Sequence, residues 1–353
     1  MNILYVLSSC NIYGGTPKKT LDLIGNGDFK SYLYLYENDN LQFKYLFEQA
    51  GARVYEGFYK RNLFKHLSCL LRIVDENSIN VIHTQFPMGE MICGLVKLFR
   101  PKVKLVVSFV GPFDAQRYKF LLNFIYRKVD AFVFVSNYVK SEKLKQYPQI
   151  AKPEIKKYVI YNGTNKRCVE SGLPKIRFSM LYVGGLTEWK NVSVLIEATY
   201  VLVNKYNLDI DLDIIGDGPL KPVLKDMINR FNLGGSITLH GYLSNIGGYL
   251  EKADIYLHPA FAEGFGISVA EAMIAGKAVI ASKAGAMPEL LADKCGILVS
   301  PKDVDSWVAA IFKLYNDDSL RTLLADKAKN RAEEYFSIKN YVLSYKNVYR
   351  EII

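Results

Sequence analysis

The sequence has no uninterrupted apolar run near the roughly 18 to 20 residues that a membrane-spanning helix needs, although half of its residues are hydrophobic. Cysteine is scarce. Cys10, Cys69, Cys93, Cys168 and Cys295 are odd in number, widely spaced and free of any C-x-x-C pair. Neither a disulfide framework nor a zinc site is indicated, and a reducing cytoplasm is the expected compartment. No basic flank precedes the apolar opening Met1-Asn2-Ile3-Leu4-Tyr5-Val6-Leu7, which stops at Ser8-Ser9. It reads as a buried first strand and not as a signal peptide. After that strand there is no G-x-G-x-x-G, only Gly14-Gly15, which argues against a dinucleotide dehydrogenase. Internal repeats, low-complexity tracts and nucleic-acid motifs are also missing, so no nucleic-acid partner is expected.

What is present suits a globular chain of two ordinary domains: 353 residues with 23% charged. The net charge of +10 is unevenly spread. Residues 1–170 hold 25 Lys and Arg against 14 Asp and Glu, while residues 171–353 hold 20 against 21. A basic half joined to a neutral half suggests that the first half meets something anionic, whether nucleic acid, an acidic membrane surface or a phosphate-bearing substrate; the competing reading is a solvated basic surface. Phe58-Tyr59-Lys60-Arg61-Asn62-Leu63-Phe64-Lys65 and Arg117-Tyr118-Lys119-Phe120-Leu121-Leu122 interleave bases with large apolar groups. Such mixtures suit an anionic membrane surface, so peripheral attachment at the inner face of the membrane is an expectation.

Short apolar, β-rich runs at 3–7, 81–83, 105–109 and 131–135 alternate with amphipathic stretches near 41–50, 64–76 and 118–128. Continuous apolar strands between helices are the pattern of a parallel sheet covered on both faces. A polar segment from Asn162-Gly163 to Ser171-Gly172-Leu173-Pro174 reads as a linker. A second series follows, with strands at 179–183, 210–215, 237–240, 255–258, 279–281 and 296–299. Pro219 is expected in the first turn of the helix after Gly216-Asp217-Gly218. Asp209, Asp211 and Asp213 look like a metal motif, but their alternation places them on an exposed strand face, and no metal is expected.

The most informative segment is His258-Pro259-Ala260-Phe261-Ala262-Glu263-Gly264-Phe265-Gly266-Ile267-Ser268-Val269-Ala270-Glu271. A strand ends, a loop sets an acid beside Gly-x-Gly, and a helix begins. Backbone amides at such a helix start suit a pyrophosphate. Glu263 can accept from sugar hydroxyls, and Glu271 from both hydroxyls of a ribose. The spacing alone leaves open that Glu263 merely caps the helix and that Glu271 is a solvent-exposed surface residue.

This segment resembles the E-x7-E signature of retaining family 4 glycosyltransferases, with Glu263 and Glu271 as its two acids. Ordered blocks extend the resemblance over nearly the whole chain. They are Gly14-Gly15, Asn162-Gly163, Leu181-Tyr182-Val183-Gly184-Gly185-Leu186 with Lys190-Asn191, Gly216-Asp217-Gly218-Pro219, His240-Gly241-Tyr242, Ala253-Asp254-Ile255, Gly276-Lys277-Ala278-Val279-Ile280-Ala281 and Gly285-Ala286-Met287-Pro288-Glu289. The resemblance implies an α/β chain of GT-B architecture: two facing Rossmann-like domains at 1–168 and 176–336, with a C-terminal helix at 337–353 crossing back to the first. A nucleotide-sugar donor would bind the second domain, and a glycan or lipid-linked acceptor mostly the first.

By the same resemblance Lys190 contacts the donor diphosphate, Glu263 the transferred sugar and Glu271 the ribose. Main chain at Gly241-Tyr242 meets the base, while Gly264, Phe265, Gly266 and Ile267 line the donor. Gly14-Gly15 approaches the diphosphate across the cleft. The implied reaction is retaining transfer of a hexose, from a UDP-sugar more than a GDP-sugar, in cell-surface polysaccharide synthesis and without a cofactor. Two departures stand out. Gly185 replaces an Arg that many members carry, and Val110 in Ser108-Phe109-Val110-Gly111-Pro112 replaces a His. His83 and Asp114 are the acceptor-side candidates to compensate, and Lys18 or Lys19 to assist at the diphosphate. The competing readings are a catalytically silent relative serving as a binding or scaffold subunit, favoured by those two departures, and a sugar-nucleotide epimerase, disfavoured by the E-x7-E block.

Overall fold

The computed structural model describes every residue except 13–14, 38–40, 114–118, 166–171 and 173–174. The chain divides into two compact units, one formed by Met1–Gly163 with Ile338–Ile353 and the other by Thr164–Ser337. Most of the expected linker, and Gly14 and Asp114 among the expected site residues, lie outside the described residues.

Among the described residues the first unit carries seven strands, β1 (Asn2–Leu7), β2 (Lys30–Leu35), β3 (Arg53–Glu56), β4 (Val81–Thr84), β5 (Lys104–Phe109), β6 (Ala131–Phe134) and β7 (Lys156–Val159). They lie in the order β3-β2-β1-β4-β5-β6-β7, every pair parallel. The second unit carries β8 (Phe178–Val183), β9 (Ile210–Ile215), β10 (Ile237–Gly241), β11 (Ile255–His258), β12 (Ala278–Ser282) and β13 (Ile297–Val299). Their order is β10-β9-β8-β11-β12-β13, again all parallel. Central strands such as β4, β6, β11 and β12 are buried along their whole length. That is why the sequence shows apolar runs there and not alternation.

In each unit the first strand sits inside the sheet. The chain builds outward on one side and then crosses to the other, so the order reverses between β1 and β4 and between β8 and β11. Loops leaving the carboxyl ends of the strands at such a reversal diverge and leave a crevice, which is where open α/β sheets bind ligands.

The helix Ile338–Ile352 completes the core of the first unit, burying Ile338, Tyr341, Val342, Tyr345, Val348, Tyr349 and Ile352. Beneath it His83, only 2% exposed, has both ring nitrogens engaged: Nδ1 with the Tyr349 hydroxyl at 2.6 Å and Nε2 with Ser108 Oγ at 2.7 Å. Ser108 Oγ is also 3.0 Å from the Tyr345 hydroxyl. Burial pushes the imidazole down to about 3, so it is neutral. The acceptor-side reading of His83 is thereby corrected. Its side chain points from β4 into the core under the C-terminal helix, not toward a ligand.

Two smaller corrections concern the second unit. Asp213 does not lie on an exposed face; it is 6% exposed and holds His240 Nε2 at 2.6 Å and Lys252 Nζ at 2.9 Å. Asp209 and Asp211 instead pair with Arg177, at 2.8 and 3.5 Å. Pro219 precedes the next helix, Lys221–Arg230, whose first turn holds Pro222.

Tyr349 joins the helix to the sheet through both its ring and its hydroxyl. Tyr349→Ala should cost about 3 kcal/mol or more, as large-to-small core changes do, and Tyr349→Phe about 1 kcal/mol for the lost hydrogen bond. Chemical denaturation checks both. An unchanged midpoint for the alanine variant would remove the helix from the unit's cooperative core.

Candidate functional site

At the reversal of the second sheet, the loop after β8 carries Lys190 and the loop after β11 carries Glu263. Lys190 Nζ donates to Glu263 Oε2 in a partly buried ion pair. His258, the last residue of β11 and 1% exposed, sets its Nε2 3.2 Å from the same Oε2. Neither ring nitrogen of His258 is aligned in a hydrogen bond. Burial raises the Glu263 carboxyl, but His258 and Lys190 together outweigh it and hold the group well below the usual carboxylate range. Burial in turn lowers the His258 imidazole against the pull of Glu263.

The backbone that presents these groups is pinned from several sides. Lys190 ends a single 3-10 turn, Glu188–Lys190. Asn191 follows in the left-handed region, and its amide donates to Pro301 O at 2.7 Å and Pro259 O at 3.3 Å. The Phe261 amide donates to Trp189 O at 2.8 Å. The Lys190 loop and the Glu263 loop are therefore one hydrogen-bonded assembly. Gly285, with φ near +57°, lets Glu263 approach: a Cβ there would come within 2.5 Å of the Glu263 backbone. Below, Tyr182 donates to Gly185 O at 3.0 Å and Tyr256 to Val183 O at 3.1 Å.

The other donor residues expected in this unit cluster at the same end of its sheet. Gly184 N donates to Ile215 O, Gly216 N to Gly241 O and Leu186 N to Asp217 O, at 3.0, 2.8 and 2.9 Å. These bonds stack the turns after β8, β9 and β10 against one another. Gly266, with φ +96°, opens the helix Ile267–Ile274, and Gly264 lies buried just before it. Ile267 is half-buried and Glu271 is 6% exposed, against the open reading of a solvent-facing acid. Tyr242 presents a ring that is 48% exposed.

Phe265 is placed in this segment with its ring turned away. Its ring is buried against Phe336 at 5.4 Å, which leaves main chain and not side chain for a ligand. Gly185 is unstrained and open: a Cβ would come no nearer than 4.0 Å, to Asp217 O. In the first unit, Gly15 begins the helix Gly15–Asn26, and Lys19 is turned inward to Asp22 and Gly163 O.

Sequence reasoning missed His258 and Lys221. Lys221 Nζ holds Asp217 Oδ2 at 2.7 Å and lies beside Gly241, 3.2 Å from where a Cβ would sit. It adds a cation at the edge of the site, and its place in the first turn after Gly216-Asp217-Gly218-Pro219 was the available signal. His258 stood in plain view as the first residue of the signature segment, but only burial and distance distinguish it from a packed strand end. The assembled groups suit one kind of ligand. An ammonium and helix-start amides suit phosphates, and a carboxylate held ionised suits hydroxyls.

Comparison with known proteins bears on the family and the fold. Residues 166–331 match the model of glycosyl transferases group 1, and residues 39–167 match that of Glycosyltransferase Family 4. The N-acetylgalactosamine-N,N'-diacetylbacillosaminyl-diphospho-undecaprenol 4-alpha-N-acetylgalactosaminyltransferase of Campylobacter jejuni is 26% identical over 261 residues, 69% of each chain. A glycosyltransferase of Rickettsia africae superposes with a TM-score of 0.85 at 19% identity, over 99% of this chain and 98% of its own. The Anabaena protein HepE, solved in complex with UDP, superposes with a TM-score of 0.84 at 18% identity, over 99% and 100%. These two structures share the fold. The chain belongs to the family 4 glycosyltransferases of GT-B fold, which act on nucleotide sugars.

Proposed function

We propose that the protein is a retaining hexosyltransferase that moves a sugar from a UDP-sugar to a glycan or lipid-linked acceptor in cell-surface polysaccharide synthesis, with no metal in the reaction. The observation that carries this reading is the Lys190–Glu263 pair at the reversal of the second sheet. A donor diphosphate draws the Lys190 ammonium to itself and frees Glu263 to accept from the hydroxyls of the sugar. The bond from the anomeric carbon to the phosphate oxygen breaks, and a bond from that carbon to the acceptor oxygen forms on the same face. The departing phosphate takes the acceptor's proton, so a side-chain base at Val110 is not needed. Lys190 and the amides before Ile267 stabilise the charge that grows on the leaving diphosphate. Glu271 serves the ribose and the Gly241-Tyr242 main chain the base. UDP as the nucleotide is supported by HepE, solved with UDP; the lipid-linked acceptor is supported by the diphospho-undecaprenol in the Campylobacter relative's name.

Attachment to an anionic membrane surface fits the first unit. Phe64 (86% exposed) lies in the first turn after β3, and Phe113 (62%) and Phe120 (92%) follow β5. Because the sheet is parallel, all three leave the same end of it. Lys60, Arg61, Lys65 and Lys119 accompany them. Among the described residues no helix is long and apolar enough to cross a membrane.

Thermal unfolding with UDP, GDP, ADP or CMP should rise with UDP alone and be unmoved by EDTA, with about 2.7 kcal/mol of stabilisation at a hundredfold excess over Kd. Gly185→Arg, at a position that admits a Cβ, should enlarge that rise. No rise with any nucleotide would favour the silent-relative reading. Glu263→Ala should lower transfer by roughly a hundredfold or more with the far-ultraviolet circular dichroism spectrum unchanged, and full activity in that variant would sink its assigned role. The parent protein should sediment with phosphatidylglycerol vesicles and not with phosphatidylcholine ones, and Phe64→Ser with Phe120→Ser should release it. Sedimentation with neither would leave the exposed phenylalanines without a bilayer role.

A further inference from the structure

The geometry points to His258 as a positioning residue for Glu263, a buried imidazole that takes over Oε2 when Lys190 turns to the donor diphosphate. This rests on the donor-site reading of Lys190 and Glu263 given above. In the structure Oε2 has two neighbours. Lys190 holds it with a hydrogen bond, and His258 Nε2 waits 3.2 Å away without one. A fully buried imidazole with neither nitrogen in an aligned hydrogen bond is rare, because each desolvated polar atom left unmade is costly. The vacancy has a use once the ligand is considered. A diphosphate that recruits the ammonium strips Glu263 of its cation in a partly buried place, where a lone carboxylate would draw a proton and cease to be a two-oxygen acceptor.

His258 is the standing alternative. The charged and titratable groups around it are Glu263 and Lys190. The Tyr182 and Tyr256 hydroxyls near Glu263 are already committed to Gly185 O and Val183 O. Among the described residues no partner fixes the tautomer through Nδ1, so the proton is free to sit on Nε2 and be donated to Oε2. Because His258 closes β11 and Pro259 O is held by Asn191, the ring is anchored to the same assembly that carries Lys190. The imidazole would keep Glu263 ionised and aimed while the ammonium is away, without itself touching the sugar.

The test compares His258→Phe, which keeps volume and removes the donor, with His258→Gln, which restores an N–H near the Nε2 position. His258→Phe should lower kcat roughly ten- to a hundredfold, the worth of a hydrogen bond to a charged group, with the donor KM little changed. The acid limb of its pH–rate profile should move to higher pH, because Glu263 loses the group that keeps it ionised. His258→Gln should recover most of the loss and return the limb toward its place in the parent. A parent-like kcat and limb in His258→Phe would overturn the proposal, and so would equal losses in both variants with the limb unmoved. In the parent protein itself, the imidazole nitrogen resonances of its four histidines can be followed as UDP is added. His258 should shift toward a hydrogen-bonded Nε2–H. If UDP stabilises the protein while His258 stays unchanged, the positioning role fails alone. If UDP binds nowhere, the donor reading fails and takes this role with it.

Discussion

Parallel pairing is the constraint from which the rest of this protein follows. Every strand in both sheets runs the same way, so each connection must cross a face of the sheet, and helices cover both faces. Burial on both faces makes the strands continuous apolar runs such as Ala131–Phe134 and Ile255–His258. It also collects every loop that leaves a carboxyl end at one edge of its sheet. Where the winding reverses, between β8 and β11, two such loops part. Lys190 and Glu263 come one from each. Their distance in sequence is large, and their meeting is a property of strand order.

Charges so placed would be costly if unpaired. The protein answers this by letting them hold one another, with His258 beside them. In the function proposed above, a phosphate would compete for Lys190 and release Glu263. The surrounding backbone must be firm for that exchange to be productive. The bonds from Asn191 to Pro259 and Pro301, and from Phe261 to Trp189, supply this firmness, as does the close seat that Gly285 allows to Glu263.

The first unit uses a buried polar network differently. His83, Ser108, Tyr345 and Tyr349 satisfy one another beneath the helix Ile338–Ile352. Hydrogen-bonded polar groups inside a core specify one packing where apolar groups alone would tolerate several. Here they fix the last helix of the chain upon strands formed from its first third. A histidine at a strand end can thus be a lock in one unit and a neighbour of the Glu263 carboxylate in the other.

The sequence by itself determined the class of fold, through apolar runs of strand length between amphipathic stretches. It also determined the family, through ordered blocks around Glu263-Gly264-Phe265-Gly266 and Glu271. Local chemistry suffices for these, since turns, helix starts and buried strands each carry their own residue preferences. Side-chain direction was beyond it. Period-two alternation put Asp213 on an exposed face, but helix cover turned it inward to His240 and Lys252. Phe265 sat in the right loop yet faces Phe336, and His83 ended a strand yet faces Tyr349. Only the tertiary structure decided these, because which side of a strand or loop is covered depends on elements that arrive from far along the chain. The approach of His258 to Glu263 was decided the same way, by five residues of loop folding back on the strand that begins it.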